Sequence, residues 1–438
     1  MSSIRTVPAF MIAAGVLLAL MIPGAIALFG MKHDTVVYIT LAQCGVYGLF
    51  AWLLLRARTR LSAADSRRYL FYLLIMGSIA RAALLFAPPH STDIYRYVWD
   101  GRVQADGINP YSYVPADPAL AHLRDHGIYL NVNRKDYAPT IYPPAAQLVY
   151  FVATRLSETV TMMKAVMLGF EAAAVWAIIR LLAARGLPII LASLCFLHPL
   201  AIWEVAGSGH VDIIAVAFTL LSLLAAEKGN RIASGVLLGT AALTKYFPLT
   251  LAPAIYRRWD WRMPAAFAVT VVAIYLPYIS AGSKVFGFLG GYAGEEFRDG
   301  EGIFLAALLK HIGLGAAALP LFLSVALLTL LALAWRTGFR ADPDRPDLGG
   351  AFAIATAFTV FVSPHYCWYF LWLVPFLCFF PRPSVFWLTL SSTALYLGNW
   401  PLGIADMSIL YVPFAVLLVA ENLRLNTSKE QPDGRAIA

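Results

Sequence analysis

The feature of this sequence that most limits its fold is a repeated series of long apolar blocks. Blocks of roughly 17 to 25 residues recur between short polar or Pro/Gly-rich breaks, and a helix needs about 20 apolar residues to cross a bilayer. Backbone polar groups cannot stay unpaired in lipid, and the blocks lack the alternation of a membrane barrel, so each block predicts a helix. The chain is therefore predicted to be an all-α polytopic membrane protein with about 11 to 13 transmembrane helices.

The composition excludes a water-soluble fold. Hydrophobic residues make up 60% of the chain and charged residues only 13%, whereas a soluble domain is typically about 25% charged. The formal net charge is +8, but the basic residues lie in short breaks such as residues 56–68 and 257–262. This pattern is typical of cytoplasmic loops and not of a nucleic-acid-binding surface. The four cysteines are scattered without the spacing of metal ligands.

The charges also predict which segments lie outside. With residues 56–68 in the cytoplasm, residues 88–142 form a first external loop, which is the longest polar segment and is therefore expected to be functional. Residues 143–156 conflict with a full crossing and are expected to form a partial or re-entrant helix. Residues 281–302 form a second external loop, either a flexible lid over an acceptor or a solvated connection.

A break inside an apolar segment predicts two half-helices. Residues 231–256 are flanked by basic breaks at both ends and are interrupted by Lys245-Tyr246-Phe247-Pro248, so a broken or re-entrant helix pair is expected. We predict one transmembrane domain over residues 1–421 in the cytoplasmic (inner) membrane, surrounded by membrane lipids. A polar cytoplasmic tail over residues 422–438 follows it.

The first external loop opens with a charged helix. Ser91 or Thr92 can cap this helix, and its first turn carries Asp93. At about 100° per residue several polar side chains share one face, which predicts an amphipathic helix at the outer interface. These side chains are Asp93, Arg96, Tyr97, Asp100 and Gln104. Asp93 is a candidate general base and Arg96 a candidate phosphate ligand; the alternative is a capped helix with an Asp–Arg pair.

Other polar residues lie in or beside the apolar blocks. An ammonium group in a helix break, such as Lys245, is costly at membrane depth unless it faces a cavity or a counter-charge. An anionic phosphate could be this counter-charge, and the alternative is that the Lys245 side chain snorkels to the cytoplasmic interface. His210 and His365 fall at external ends of spans, where an imidazole can bind phosphate, assist a base or ligate a cation, although a lone histidine is usually structural. Glu204 and Glu171 are weaker candidates, and pairing with a neighbouring helix is the simpler explanation for Glu171.

Recognised nucleotide and hydrolase motifs are absent from the sequence. We find no nucleotide-phosphate loop, dinucleotide glycine fingerprint, Gly-x-Ser-x-Gly turn or His-Glu-x-x-His helix. A lipid-linked donor is therefore favoured over a nucleotide sugar, because the tail of a lipid carrier is soluble among the helices. The aromatic residues of the first loop, Tyr142 among them, suit either sugar stacking or anchoring at the membrane interface.

The order of these segments resembles a known family. An early external Asp is followed by Tyr-Pro-Pro, Gly-His-x-Asp, Thr-Lys-Tyr-Phe-Pro and Pro-His-x-x-Trp-Tyr. This order is similar to that of the polyprenol-phosphate-mannose-dependent mannosyltransferases of the glycosyltransferase-C (GT-C) fold, over residues 85–380. The resemblance implies an inverting, metal-independent transfer in one displacement. By the resemblance, Asp93 matches the family's catalytic aspartate, His365 its late external histidine and Lys245 the lysine of its helix break.

Together these observations predict a glycosyltransferase that moves a hexose, mannose by the resemblance, from a polyprenyl-phosphate donor to a lipid or glycan acceptor on the extracytoplasmic side. The predicted catalytic residues are Asp93 and His365, the donor-phosphate ligands are Lys245, Arg96 and His210, and the substrate contacts are Tyr97, Asp100, Arg102, Tyr142 and Trp368. No metal or cofactor is expected, although the second carboxylate of Asp100 leaves a divalent cation as the alternative. The competing function is a transporter or flippase for a lipid-linked or small anionic substrate, which is disfavoured by the lack of internal repeats.

Overall fold

A computed structural model describes residues 8–340, 344–398 and 401–430, except for the side chains of residue 299 and of residues 425–430. Within these residues every regular element is helical. The predicted polar tail begins inside the last helix, which runs to Glu430, and its remaining residues 431–438 lie outside the described part. The prediction of an all-α membrane protein is thus confirmed.

The α-helices are numbered here in chain order. The first ten are α1 Ala9–Ala19, α2 Met21–Phe29, α3 His33–Ala57, α4 Ala63–Leu85, α5 Asp93–Ala105, α6 Pro144–Leu156, α7 Val160–Ala184, α8 Ala192–Phe196, α9 Pro199–Ala201 and α10 Asp212–Glu227. The others are α11 Arg231–Ala242, α12 Ala252–Ile255, α13 Arg262–Tyr275, α14 Leu289–Phe297, α15 Phe304–Leu309, α16 Ala318–Gly338, α17 Leu348–Val362, α18 Pro383–Ser391 and α19 Ile404–Glu430. Short 3-10 or π turns join many of them, notably the π-helix Ile202–Gly207 and the 3-10 helices Leu276–Phe286 and Cys367–Cys378.

Seven helical segments of the described chain are long and apolar enough to cross a bilayer, or eight if one bent pair counts as a span. They are Ala9–Phe29, His33–Ala57, Ala63–Leu85, Val160–Ala184, Arg262–Phe286, Phe304–Gly338 and Ile404–Arg424. This number is below the predicted 11 to 13 because α11, α17 and the Cys367–Cys378 helix are apolar but short. The helix α6, with 13 residues, is also too short to cross, as its conflicting charges indicated.

The bent pair of helical segments contains a π turn. The segments Ile189–Phe196 and Pro199–Gly207 meet at an angle of 59°. His198 caps the second segment, because its Nδ1 accepts a hydrogen bond from the amide of Leu200 at 3.2 Å. π turns inside helices often occur at functional sites, and this one carries Glu204.

Buried charges join two of the membrane-spanning helices. Arg81 on α4 donates two hydrogen bonds of 2.6 Å to Glu171 on α7, and both side chains are buried. The Nζ of Lys164, also on α7, donates to the carbonyl oxygens of Leu84 and Ala87 at the end of α4, at 3.2 and 2.7 Å. Glu171 therefore pairs with a neighbouring helix, as expected, and the end of α4 that leads into the first loop is fixed.

Candidate active site

A cavity of about 660 Å³ lies between the two predicted external loops and the helix break that follows α11. Most of its wall is aromatic or aliphatic. The titratable side chains on the wall include Asp93, Arg96, Arg134, Lys245, Glu296 and His365. Charged groups collected on a mainly apolar concave surface are typical of a ligand-binding or active site.

Asp93 opens the helix α5 and faces this cavity. Its amide donates to the Oγ of Ser91 at 3.3 Å, whereas Thr92, at the N-cap position, makes no side-chain capping bond. The Nδ2 of Asn133 donates to Asp93 Oδ1 at 2.7 Å, and the Asp93 side chain remains 19% exposed. Asp93 Oδ2 lies 4.0 Å from His210 Nδ1. The carboxylate therefore keeps an oxygen that a substrate hydroxyl can reach.

Asp100, two turns further along α5, is part of a buried network. Its Oδ1 accepts from Arg96 Nε at 2.8 Å, and its Oδ2 accepts from Thr140 Oγ1 at 2.5 Å and from Gln147 Nε2 at 2.9 Å. Asp100 is not among the residues that line the cavity. The helix differs from the expected surface helix, because this network and the apolar face of α5 are both buried between α6 and α7.

Three cations face the cavity from different elements. Arg96 comes from α5, Arg134 from the first loop and Lys245 from the break after α11. Lys245 also has a counter-charge, since its Nζ lies 3.1 Å from Oδ1 of the buried Asp212 and 4.3 Å from the centre of the Tyr369 ring. The ammonium thus has both the cavity and the counter-charge that the sequence argument allowed.

Arg134 links the two predicted external loops by a hydrogen bond. Its Nε donates to Glu295 at 2.8 Å, and Tyr137 donates to the same carboxylate at 3.1 Å. Although burial opposes it, Glu295 holds the pKa of Arg134 above its ordinary value. The Arg134 guanidinium therefore stays charged at the cavity wall.

The predicted second external loop covers the cavity. Residues of α14 line it, and the amide of Phe288 donates to the carbonyl of Thr140 in the first loop at 3.0 Å. The preceding Gly287 has φ of +54°, and a Cβ there would lie 1.8 Å from Thr140 O, so only glycine fits. Of the two predicted alternatives, this contact favours a cover over a solvated connection.

His365 lies on the cavity wall with both ring nitrogens near acceptors. Its Nε2 lies 2.7 Å from the carbonyl of Gly302, and its Nδ1 lies 3.1 Å from Glu296 Oε2. Both ring nitrogens thus lie within reach of an oxygen acceptor. His365 is therefore paired with Glu296 in this structure.

His210 lies behind the cavity wall. Its ring stacks on Trp368 with centroids 4.0 Å apart and planes 16° apart. Trp368 lines the cavity and His210 does not. The predicted phosphate ligand His210 is thus screened by the predicted sugar contact Trp368, and its ring instead faces Glu204 and Asp93.

Of the remaining predicted substrate contacts, one lines the cavity and the others do not. Tyr142 lines the cavity, whereas Tyr97 packs behind it, stacked on Tyr150 with centroids 4.7 Å apart. Burial, and secondly the Asp93 carboxylate, raise the pKa of both Tyr97 and Tyr142 well above the ordinary value, so both hydroxyls stay neutral. Arg102 lies away from the cavity, paired with Asp125 and Glu158 at 2.9 Å.

Sequence reasoning missed three polar residues of the site. Asn133 donates to Asp93, and Arg134 and Glu296 line the cavity. The local signal was weak, because each lies far in sequence from the residue it approaches. Within the described residues no group of three or more His, Cys, Asp and Glu side chains is arranged to hold a metal ion.

The fold and the cavity together define an integral multi-pass membrane protein with a carboxylate, cations and aromatic side chains around one site. Residues 6–260, more than half of the chain, match a family described as alpha-(1->6)-mannopyranosyltransferase, N-terminal domain, the MptA/B family. The chain belongs to this family. The matched region includes Asp93, Glu204, His210 and Lys245, and it ends before His365.

One curated relative can be compared in detail. Alpha-(1->6)-mannopyranosyltransferase A of Mycobacterium tuberculosis (strain ATCC 25618 / H37Rv) is 26% identical over 180 residues, which are 41% of this chain and 34% of the relative. The alignment thus spans about a third of the relative's length. No solved structure matches the chain.

Proposed function

We propose that this protein transfers mannose from a polyprenyl-phosphate carrier to a hydroxyl group of a lipid or glycan acceptor, with inversion at the anomeric carbon and with Asp93 as the general base. The observation that carries the proposal is the position of Asp93. It faces the cavity with one hydrogen-bond donor, Asn133, within the described residues. Glu296, the other carboxylate that lines the cavity among the described residues, is paired with His365.

A single base is sufficient for a single displacement. As Asp93 takes the proton of the acceptor hydroxyl, the oxygen attacks the anomeric carbon and the bond from that carbon to the carrier phosphate breaks. The phosphate leaves with the electron pair of that bond. The protein then has to position two substrates and stabilise the charge on the leaving phosphate.

The cations on the cavity wall suit that phosphate. Arg96 uses Nε for Asp100 and Nη1 for the carbonyl of Ala138, so within the described residues its Nη2 is left for a ligand. Arg134 and Lys245 approach the same cavity from other elements. We propose these three as phosphate ligands, and no metal enters the proposed step.

The apolar part of the wall suits a lipid carrier. Phe247, Phe358, Val362 and Trp372 line the cavity next to the helix break that carries Lys245. A polyprenyl chain would replace water against these side chains, at about 25 cal/mol for each Å² buried. This arrangement supports a lipid-linked donor over a nucleotide sugar.

The direction of α4 supports an extracytoplasmic site. The helix begins at Ala63, beside the basic residues 56–68, and ends at Leu85, shortly before Asp93. Its 23 residues extend about 34 Å, the thickness of the hydrocarbon core. If the basic end is cytoplasmic, then Asp93 lies at the opposite surface.

Sugar transfer in proteoliposomes tests the proposal. Purified protein would receive radiolabelled polyprenyl-phosphate mannose and an envelope-lipid acceptor extract, and Asp93→Asn would be compared with Asp106→Asn. Asp106 lies at the other end of α5, is exposed, and pairs with His122 at 2.9 Å. We expect transfer by the wild type and by Asp106→Asn, and none by Asp93→Asn.

Two results would contradict the proposal. Normal transfer by a folded Asp93→Asn variant would remove Asp93 as the base. Movement of the labelled lipid across the bilayer without transfer to any acceptor would instead identify a flippase.

A further inference from the structure

A histidine and a glutamate that the proposed reaction does not yet use lie directly behind Asp93. Glu204 is on the π turn Ile202–Gly207, and His210 follows that turn. Both side chains are almost completely buried, and neither lines the cavity. A buried carboxylate is costly unless it is paired, so its partner indicates what it does.

The backbone fixes this pair against the first turn of α5. The amide of His210 donates to the carbonyl of Glu204 at 2.9 Å. Gly209 between them has φ of +74°, and a Cβ there would lie 2.4 Å from Cδ1 of Ile94, the residue after Asp93. The conformation favours glycine. A side chain at residue 209 would also have to displace the end of the Ile94 side chain beside Asp93.

The imidazole of His210 lies between two carboxylates. Its Nε2 is 3.2 Å from Glu204 Oε2, and its Nδ1 is 4.0 Å from Asp93 Oδ2. Stacking on Trp368 fixes the plane of the ring. Neither ring nitrogen makes a hydrogen bond of good geometry within the described residues, so both nitrogens remain available to give or take a proton.

The other neighbours of Glu204 are donors. The hydroxyl of Tyr396 lies 3.3 and 3.2 Å from the two carboxylate oxygens, and the thiol of Cys367 lies 3.3 Å from Oε1. Glu204 is thus held as an acceptor facing Nε2 of His210. An N–H on Nε2 is favoured, and the lone pair of Nδ1 then faces Asp93.

We infer that His210 and Glu204 are positioning residues that take the acceptor's proton onward from Asp93. The inference rests on the proposed function and adds one step to it. The proton that Asp93 removes from the acceptor hydroxyl passes from Asp93 Oδ2 to His210 Nδ1. The present distance of 4.0 Å between these atoms first has to shorten by about 1 Å, to hydrogen-bond distance. Glu204 then faces an imidazolium, and Asp93 is again an anion when the leaving phosphate departs. The proton returns to water after the products leave.

The test measures kcat and KM separately in the proteoliposome assay. His210→Asn keeps an amide near the position of Nδ1 but cannot accept a proton, so kcat should fall by about a hundredfold. KM should be unchanged, because His210 does not line the cavity. Glu204→Gln removes the charge that stabilises the imidazolium and should lower kcat by roughly tenfold or more.

A second variant and a matched control separate proton transfer from folding. His210→Ala should regain part of its rate when imidazole is added, because free imidazole can occupy the space and take the proton. His198→Asn is the control: His198 is also a buried histidine, with Nε2 at 3.1 Å from Thr389 Oγ1. This control should lower the melting temperature and leave kcat per folded molecule unchanged.

The outcomes distinguish this inference from the proposed function. Loss of kcat in the His210 and Glu204 variants, with imidazole rescue, supports the inference. If Asp93→Asn is inactive but His210→Asn and Glu204→Gln keep the wild-type kcat, the inference is overturned and the proposed function stands. If the wild type transfers no sugar from any polyprenyl-phosphate donor, both are overturned.

Discussion

Asp93 and Asp100 lie on the same helix, seven residues apart in sequence, and differ in almost everything that surrounds them. Asp100 accepts hydrogen bonds from Arg96, Thr140 and Gln147 and is only 3% exposed. Asp93 accepts one from Asn133 within the described residues and faces the cavity. A carboxylate with several internal donors stabilises the fold, whereas one with an open oxygen can react.

The largest effect is expected from neutralising the open carboxylate. Asp93→Asn removes the proposed base and should lower the transfer rate by about 10³-fold. The melting temperature in detergent should stay close to that of the wild type, because within the described residues Asp93 accepts a single hydrogen bond, from Asn133. A strongly lowered melting temperature would instead make Asp93 a structural residue, like Asp100.

At Asp100, the carboxylate enclosed by hydrogen-bond donors, the expected loss is in stability. Asp100→Ala leaves the buried Arg96 without its partner and should destabilise the protein by about 3 to 5 kcal/mol. Thermal unfolding of the purified protein measures this change. An unaltered melting temperature together with lost activity would place Asp100 in the reaction and contradict the comparison.

A smaller effect is expected from replacing Asn133, the one hydrogen-bond donor to Asp93 among the described residues. Asn133→Ala removes a hydrogen bond to a charged group, which should lower kcat by about tenfold through misorientation of the carboxylate. The same assay at saturating donor measures it. Asn133→Asp is the informative companion, because a second carboxylate beside Asp93 should lower kcat further, whereas an unchanged rate would show that Oδ1 needs no donor.

The smallest effect is expected at Asp125, an exposed residue of the first loop. Burial would raise the pKa of Asp125, but hydrogen bonds from Arg102 and from the amides of Tyr129 and Ile128 outweigh it and lower the pKa from 3.8 to about 2. Because the folded-state pKa is depressed, this stabilisation is complete above about pH 3.8 and is lost as the pH falls through about 2.

Arg102→Gln tests that dependence. Acid unfolding curves of the wild type and the variant should differ slightly at neutral pH and converge as the pH falls below about 2, because both proteins then have a protonated Asp125. The difference should be small, since Asp125 is 40% exposed and solvent screens the pair. A difference that grows as the pH falls would contradict the assigned sign.

The class of fold and the position of Asp93 could be predicted because they depend on local sequence. Apolar blocks specify membrane helices, and the residues before Asp93 start a helix wherever the chain goes next. The burial of α5 could not be predicted in the same way. Its polar face is satisfied by Thr140 and Gln147, which are distant in sequence, so a pattern typical of a surface helix is compatible with a buried one.

The partners of the predicted site residues depend on tertiary structure. The sequence argument allowed Lys245 either a counter-charge or a cavity, but the choice of Asp212 as the counter-charge depends on the packing of α10 against α11. Glu204 and His210 are close in sequence, yet their carboxylate–imidazole contact depends on a π turn that the residue types do not specify. The roles proposed for Asp93, His210 and Glu204 remain predictions.

The pair of Arg81 and Glu171 has a consequence for how this protein enters the membrane. A charged residue costs an isolated helix about 2.5 to 3.5 kcal/mol at the centre of the bilayer on insertion scales. Here the cation is on α4 and the anion on α7, and they meet at 2.6 Å. The two helices therefore enter lipid at lower cost together than separately. The predicted first external loop and α6 lie between the two helices in the chain, so the pair closes only once both have been placed.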